Sequence, residues 1–320
     1  MLGHKTPIIG AAEHEVPMYR ALLTPVLAVV LACGCVTRNH VGPGEAPPKA
    51  LFQWPGSGPA GDSGSEDDPA PGGRSDAETP ITTERPDFTN SSRTVGRGRV
   101  QLESGYTFTT ARDPVTRVTS HSFPEALLRV GLLADWFEVQ VGQSALSTRS
   151  AGTDGVARAT GFQDLYLATK FALTEGAGWR PETAVTLQMT VPTGRRELSG
   201  RHPLPGLLYL YSWELIPDLV SLGGTSAAAA AVDDTGGTYA QLAQSLSVGY
   251  TLTERLGAFT EFFVLAPAGA DTPRAGPQYY FDSGLLYRVT PNFQVDARFG
   301  FGLNRRAGDL FAGVGFAVRY

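Results

Sequence analysis

The 320 residues carry 31 acidic against 26 basic side chains, a net charge of −5, which speaks against a nucleic-acid binder with its basic face. A hydrophobic content of 42% and a mean hydropathy of −0.09 suit a soluble protein, but equally a membrane barrel that is apolar only at alternate residues. The two cysteines, Cys33 and Cys35, cannot staple a chain of this size, and no late segment is long and apolar enough for a spanning helix.

In chain order, residues 1–35 read as an export segment. Arg20 precedes the apolar run LLTPVLAVVLAC, which is too short to span a membrane and ends in small residues. The mixed, acidic stretch before Met18 suits no signal, so Met18 is the expected start. Val30-Leu31-Ala32-Cys33 resembles a lipobox, with Cys33 the lipidation candidate and Cys35 its rival; a plain cleaved signal is the alternative. Residues 36–80, centred on PGSGPAGDSGSEDDPAPGG, bury too little apolar surface to offset their ordering entropy and read as a disordered linker. Its acids Glu66, Asp67 and Asp68 read as solvated. Residues 81–98, with ERPDFT inside them, read as an irregular lead-in or as a small plug at the periplasmic mouth.

From 99 to 320 apolar residues recur at every second position, the strand period. Phe293, Val295, Ala297, Phe299, Phe301 and Leu303 oppose Gln294, Asp296, Arg298, Gly300 and Gly302; Val314, Phe316, Val318 and Tyr320 oppose Gly313, Gly315 and Arg319. Twelve strands are expected, at 99–110, 122–133, 136–145, 161–173, 183–193, 204–215, 218–226, 240–252, 256–266, 277–289, 293–303 and 309–320. Two of them, 204–215 and 256–266, alternate poorly. Tight turns at 134–135, 216–217, 253–255 and 290–292, with a longer one at 174–182, take turns with long loops at 111–121, 146–160, 194–203, 227–239 and 267–276. That asymmetry predicts an antiparallel transmembrane β-barrel of about 12 strands, placed in an outer membrane, rather than a Greek-key sandwich.

The charges obey the same logic. Glu103, Glu125, Arg129, Glu138, Asp164, Lys170, Glu261, Asp282, Arg288, Asp296, Arg298 and Arg319 fall on the less apolar face, because a Lys or Arg toward lipid costs about 2–4 kcal/mol near midplane. Asp282, Arg288, Asp296, Arg298 and Arg319 are expected to form one cross-strand cluster on the inner wall. Phe316, Val318 and the terminal Tyr320 match the aromatic ending that barrel-assembly machinery recognises. No metal, cofactor or catalytic site is expected. His121 and Ser122 are neighbours on one strand and so point to opposite faces, a poor nucleophile–base pair.

The stretches TTERPDFTNSSRTVGRGRVQLESGYTF, SHSFPEALLRVGLLADWFEVQVG, TGFQDLYLATKFALTEG, LQMTVPTG and YYFDSGLLYRVTPNFQVDARFGFGLNRRAGDLFAGVGFAVRY resemble the MetA-pathway phenol-degradation family, from Thr82 onward. The resemblance implies an outer-membrane barrel with a transport role in aromatic catabolism. The expectation is a passive pore for small aromatic or hydrophobic molecules, with outer-membrane lipid around it. A tethering barrel without transport is the alternative, and a barrel-embedded lipid hydrolase a more distant one.

Overall fold

In this computed structural model the described residues are 50–52, 80–153, 155–233, 235–270 and 276–320; the expected export segment, Met18, Cys33, Cys35 and most of the expected 36–80 linker lie outside them. The described chain is all-β. Thirteen strands follow in order: β1 Val100–Arg112, β2 Thr116–Gly131, β3 Phe137–Gly152, β4 Gly155–Phe162, β5 Leu165–Thr174, β6 Glu182–Val191, β7 Leu204–Ile216, β8 Val220–Val232, β9 Thr238–Thr251, β10 Leu256–Ala268, β11 Gln278–Thr290, β12 Phe293–Gly302 and β13 Leu310–Arg319. All strand pairings are antiparallel. β1 pairs with both β2 and β13, so the sheet closes on itself and no edge remains in the barrel wall. β4 pairs only with β3, outside this ring of twelve strands.

The expected period-two faces hold around the wall. On β12, Phe299 and Phe301 are exposed while Gln294 and Asp296 are buried; on β11, Leu285 and Tyr287 are exposed while Tyr280 and Asp282 are buried. Apolar side chains therefore cover the outside and polar ones the inside, the inverse of a soluble globule. β7 and β10 alternate poorly for a visible reason. Their inner faces are also apolar, carrying Leu204, Leu208 and Leu210 on β7 and Phe259 and Phe263 on β10.

Three expected loops are largely strand. β1 and β2 leave only 113–115 between them, β3 and β4 form a hairpin across 146–160, and β8 and β9 leave only 233–237. These hairpins carry small or polar side chains on much of both faces, so the strand period is weak in them and the backbone ladder continues unannounced by hydropathy. The connections at the other end are 132–136, 175–181, 217–219, 252–255 and 291–292. β2 holds a further surprise: its register shifts between Ser122 and Glu125, across Pro124, whose missing N–H interrupts the ladder. The shift changes the phase, so that Val118 and Ser120 face inward above it and Arg129 below.

The linker is not wholly without structure. Leu51 and Phe52 donate their N–H groups to the carbonyls of Ala172 and Leu173, at the short-turn end of β5 (2.9 and 2.7 Å).

Candidate functional site: a chain segment threaded through the barrel

Residues 80–98 form no strand, yet Ile81, Glu84, Thr89, Ser92 and Val95 are buried. Their partners come from β1, β2, β3, β5, β6, β7, β8, β9, β10 and β12. A segment that meets strands all around a closed ring lies inside it. Residues 80–98 thus form a luminal segment.

Three polar ties hold it. The first centres on Arg129 of β2, which is fully buried. Its guanidinium pairs with Glu138 of β3 (2.7 Å), Glu103 of β1 (3.0 Å) and Glu84 of the segment (3.1 Å). It also donates to the carbonyls of Thr82 and Arg93 (3.0 and 3.1 Å). Lys170 of β5 pairs with Glu84 and donates to the Ser91 carbonyl. The wall carboxylates receive backbone N–H groups in turn: Glu84 N–H reaches Glu103, and Val95 N–H reaches Glu138 at 2.7 Å. Such a network is costly to desolvate and persists because each charge has several partners.

The second tie is Glu261 of β10. Its carboxylate accepts the N–H groups of Phe88 (2.6 Å) and Thr89 (2.7 Å) and the Thr89 hydroxyl, which also meets Ser245 of β9. Glu182 of β6 works alike, accepting from Ser92 and from Arg93 Nε (2.9 Å).

The third is Arg85. It pairs with Glu125 of β2 (2.7 Å), lies 3.6 Å from Asp296 of β12, and donates to the Val314 carbonyl. Its guanidinium rests against Gly105 and Gly315, which face each other across β1 and β13. A Cβ on Gly105 would sit 2.3 Å from Arg85 Cζ, and one on Gly315 would sit 2.4 Å from its Nε. Only glycine leaves that slot open.

Above these ties, toward the long hairpins, the lumen turns aromatic. Phe88 stacks on Phe263 (4.6 Å between centroids, 6° between planes), and Phe263 stacks on Tyr280 (4.7 Å, 14°). Phe311 abuts both wall rings, lying over Gly300, where a Cβ would come within 2.2 Å of its ring. Arg298 sits 5.2 Å from the Phe311 centroid. Across the lumen β7 presents Leu208 and Leu210, packed with Ala184 and Ala227.

The residues picked from the sequence are thus distributed, not gathered. Glu103, Arg129, Glu138 and Lys170 meet in the first tie, Glu261 forms the second, and Glu125 and Asp296 take part in the third. Asp282 is buried directly opposite Gly300, one diagonal step from Arg298. Arg288 and Arg319 stand apart from them near the short-turn rim, where Arg319 bonds Asn292 (2.8 Å). Asp164 lies in the 163–164 connection rather than in a strand. It accepts from Gly194 N–H (2.8 Å), Ser199 and Gly200, fastening the 192–203 loop, and burial pushes its carboxyl above the usual range despite these donors. Glu84 and Arg85 belong to the ERPDFT stretch, but their wall partners, like the role of Glu182, have no local sequence signal: those of Arg85 lie 40 to 229 residues away. Phe316 and Tyr320 are exposed on the outer face. His121 Nδ1 is 2.8 Å from the Tyr106 hydroxyl on that same outer face, and His202 is exposed in a loop. Neither has a serine placed for catalysis among the hydrogen bonds of the described residues.

The family described as "Putative MetA-pathway of phenol degradation" matches residues 83–320, the whole barrel together with most of its luminal segment. The chain belongs to this family. Among solved structures, this MetA-pathway family member is similar to the COG4313 outer membrane channel from Pseudomonas putida F1, at 14% identity and a TM-score of 0.58, over 72% of this chain and 98% of that one. Weaker likenesses join it to two autotransporter barrels. One is the β-domain from Bordetella (10% identity, 69% of this chain and 98% of that one, TM-score 0.45); the other is the translocator domain of NalP from Neisseria meningitidis (13%, 69% and 88%, 0.44). No curated protein matches the sequence. At this identity the likeness to the P. putida channel is one of fold alone.

Proposed function

We propose that the protein is a passive outer-membrane channel for the uptake of small aromatic or otherwise hydrophobic molecules, and that its luminal segment 80–98 controls the passage. The observation that carries this reading is the aromatic layer of Phe263, Tyr280 and Phe311 on the inner wall, in register with the segment's own Phe88. An aromatic permeant gains from such rings about 0.5–1.5 kcal/mol per ring pair beyond its area burial, a gain that ions do not share. The apolar outer face supports placement in the outer membrane, reached through the barrel-assembly machinery. In this reading the lumen's charges hold the segment.

The test is flux. The refolded full chain in liposomes should admit phenol-sized aromatics faster than sugars of equal size, and a Phe263→Ala, Tyr280→Ala variant should lose that preference. Equal flux of both solutes in the wild type would overturn the reading. Removal of residues 36–79 separates it from the tethering alternative, because a channel conducts without the linker.

A further inference from the structure

The long hairpins carry a second organised surface, on the outside of the barrel. The registers of β1 to β4 set residues in rows across the sheet. Phe108, His121, Ser147 and Thr160 form one row; Thr110, Thr119, Arg149 and Arg158 the next; Arg112, Arg117, Ala151 and Val156 the third. All three rows face outward, because Ser120, Leu146 and Ala159, which alternate with them, are buried on the inside, and Ser147 meets Thr160 across its row at 2.9 Å. At two residues per step the rows climb about 7 Å each. Exposed Phe123 and Phe162 lie just below the first, so the surface runs from aromatic to hydroxyl to arginine within about 14 Å. That is the order met on passing from acyl chains through the interface into headgroups.

The arginines are arranged against themselves. Arg149 lies directly across from Arg158, and Arg112 across from Arg117. Like charges directly opposed on a sheet destabilise it, with Cβ atoms about 5 Å apart. All four side chains are exposed, and none forms an ion pair among the described residues. On Arg112's side the nearby acid Asp113 is engaged in its own turn, accepting the N–H groups of Val115 and Thr116. A bridging dianion turns both opposed pairs from repulsive to attractive, and guanidinium groups hold phosphate oxygens in bidentate fashion.

We propose that this outward face of β1–β4 binds the phosphate groups of phosphorylated lipids in the leaflet that surrounds the long-hairpin end. The proposal rests on the membrane placement given above. It assigns Arg149 and Arg158 the central role, with Arg112 and Arg117 contacting the outer headgroup atoms and Phe123 and Phe162 seated at the acyl boundary.

The test uses the full chain, refolded into phosphatidylcholine vesicles that contain bis-phosphorylated lipid A, lipid A stripped of phosphate, or neither. Insertion is scored first, by protection of the barrel from protease, and lipid retained after detergent extraction is scored second, by native mass spectrometry. The wild type should retain the phosphorylated lipid selectively. The Arg149→Gln, Arg158→Gln variant should bind it about 30-fold more weakly, two groups at about 1 kcal/mol each. Arg255→Gln, in the 252–255 turn at the other end, should bind as the wild type does. In detergent alone the double variant should be no less stable than the wild type, since the opposed charges are gone. Retention that ignores the lipid's phosphates or the two arginines overturns the proposal while insertion stands. Arginine-dependent binding of inorganic phosphate equal to that of the lipid assigns an ion site instead and overturns it too. Failure to insert into any vesicle overturns the membrane placement itself, and this proposal with it.

Discussion

Arg129→Met should loosen the luminal segment without unfolding the barrel. Arg129 is fully buried and holds Glu138, Glu103 and Glu84 at 2.7, 3.0 and 3.1 Å. Methionine fills much of its volume but leaves three carboxylates facing Lys170 alone. Breaking a buried ion network from one side costs about 3–5 kcal/mol. The cost need not fall on the wall, whose strands remain hydrogen-bonded in a closed ring. It is relieved if the segment leaves and water enters, because Glu103 and Glu138 are then hydrated and Glu84 is carried off. The docked-to-undocked ratio should therefore drop by roughly two to nearly four orders of magnitude, at about 1.4 kcal/mol per tenfold.

The assay is conductance of single channels in a planar bilayer, joined to labelling of a cysteine placed at Ser91 in a background where Cys33 and Cys35 are serine. Wild type should show a small conductance and slow labelling; Arg129→Met should show larger openings and fast labelling. Glu84→Gln, which alters only the segment's own partner, should fall between them and guards against a folding defect in the first variant. If Arg129→Met folds, conducts as the wild type does and leaves Ser91→Cys protected, the ion network does not hold the segment, and the reasoning fails.

Gly105→Val should act on the same segment from another side: the new side chain takes the place of the Arg85 guanidinium, so conductance rises while heat-resistant migration of the barrel is unchanged. Phe299→Arg, on the exposed outer face, should impair insertion into liposomes by about 2–4 kcal/mol, whereas Arg298→Ala should insert normally and shift ion selectivity toward cations, read as reversal potential in a salt gradient. Cysteines placed in Gly155–Phe162 should react with an impermeant reagent on whole cells, and those at 252–255 should not; the reverse pattern would invert the topology. Mature protein should incorporate labelled palmitate at Cys33 or Cys35, and an unmodified N-terminus in mass spectrometry would count against that anchor.

How far the sequence could be read depends on what each side chain faces. β11, β12 and β13 were legible because one face is apolar and the other polar, so Phe299 and Asp296 declare their sides unaided. β4 was invisible: GVARATGF has no sustained apolar face, and its backbone ladder to β3 is what makes it a strand. β2 was legible only below Pro124, since a period cannot be followed through a register shift. The inward placement of Arg129, Lys170 and Glu261 followed from lipid energetics alone, but their partners did not. The expected wall cluster around Arg298 and Arg319 assumed that inward charges answer one another across strands, when most of them answer the threaded segment.

That answer was nevertheless written in the charges. The wall sends Glu103, Glu125, Glu138, Glu182, Glu261, Asp282 and Asp296 inward against Arg129, Lys170, Arg288, Arg298 and Arg319, seven acids against five bases. Carboxylates in such excess cannot all be balanced by strand cations, and a closed lumen offers them little water. What they can accept is backbone N–H, and a strand has none to spare, its own being committed to the ladder. A segment outside the sheet has many. Residues 80–98 supply the N–H groups of Glu84, Phe88, Thr89 and Val95, each to one of these carboxylates, and the guanidinium groups of Arg85 and Arg93. The strand-like alternation of a barrel is therefore only half of its pattern. An excess of inward acid over inward base marks a wall built to hold a length of irregular chain, and where an irregular lead-in precedes such a wall, the two together place that lead-in within the lumen.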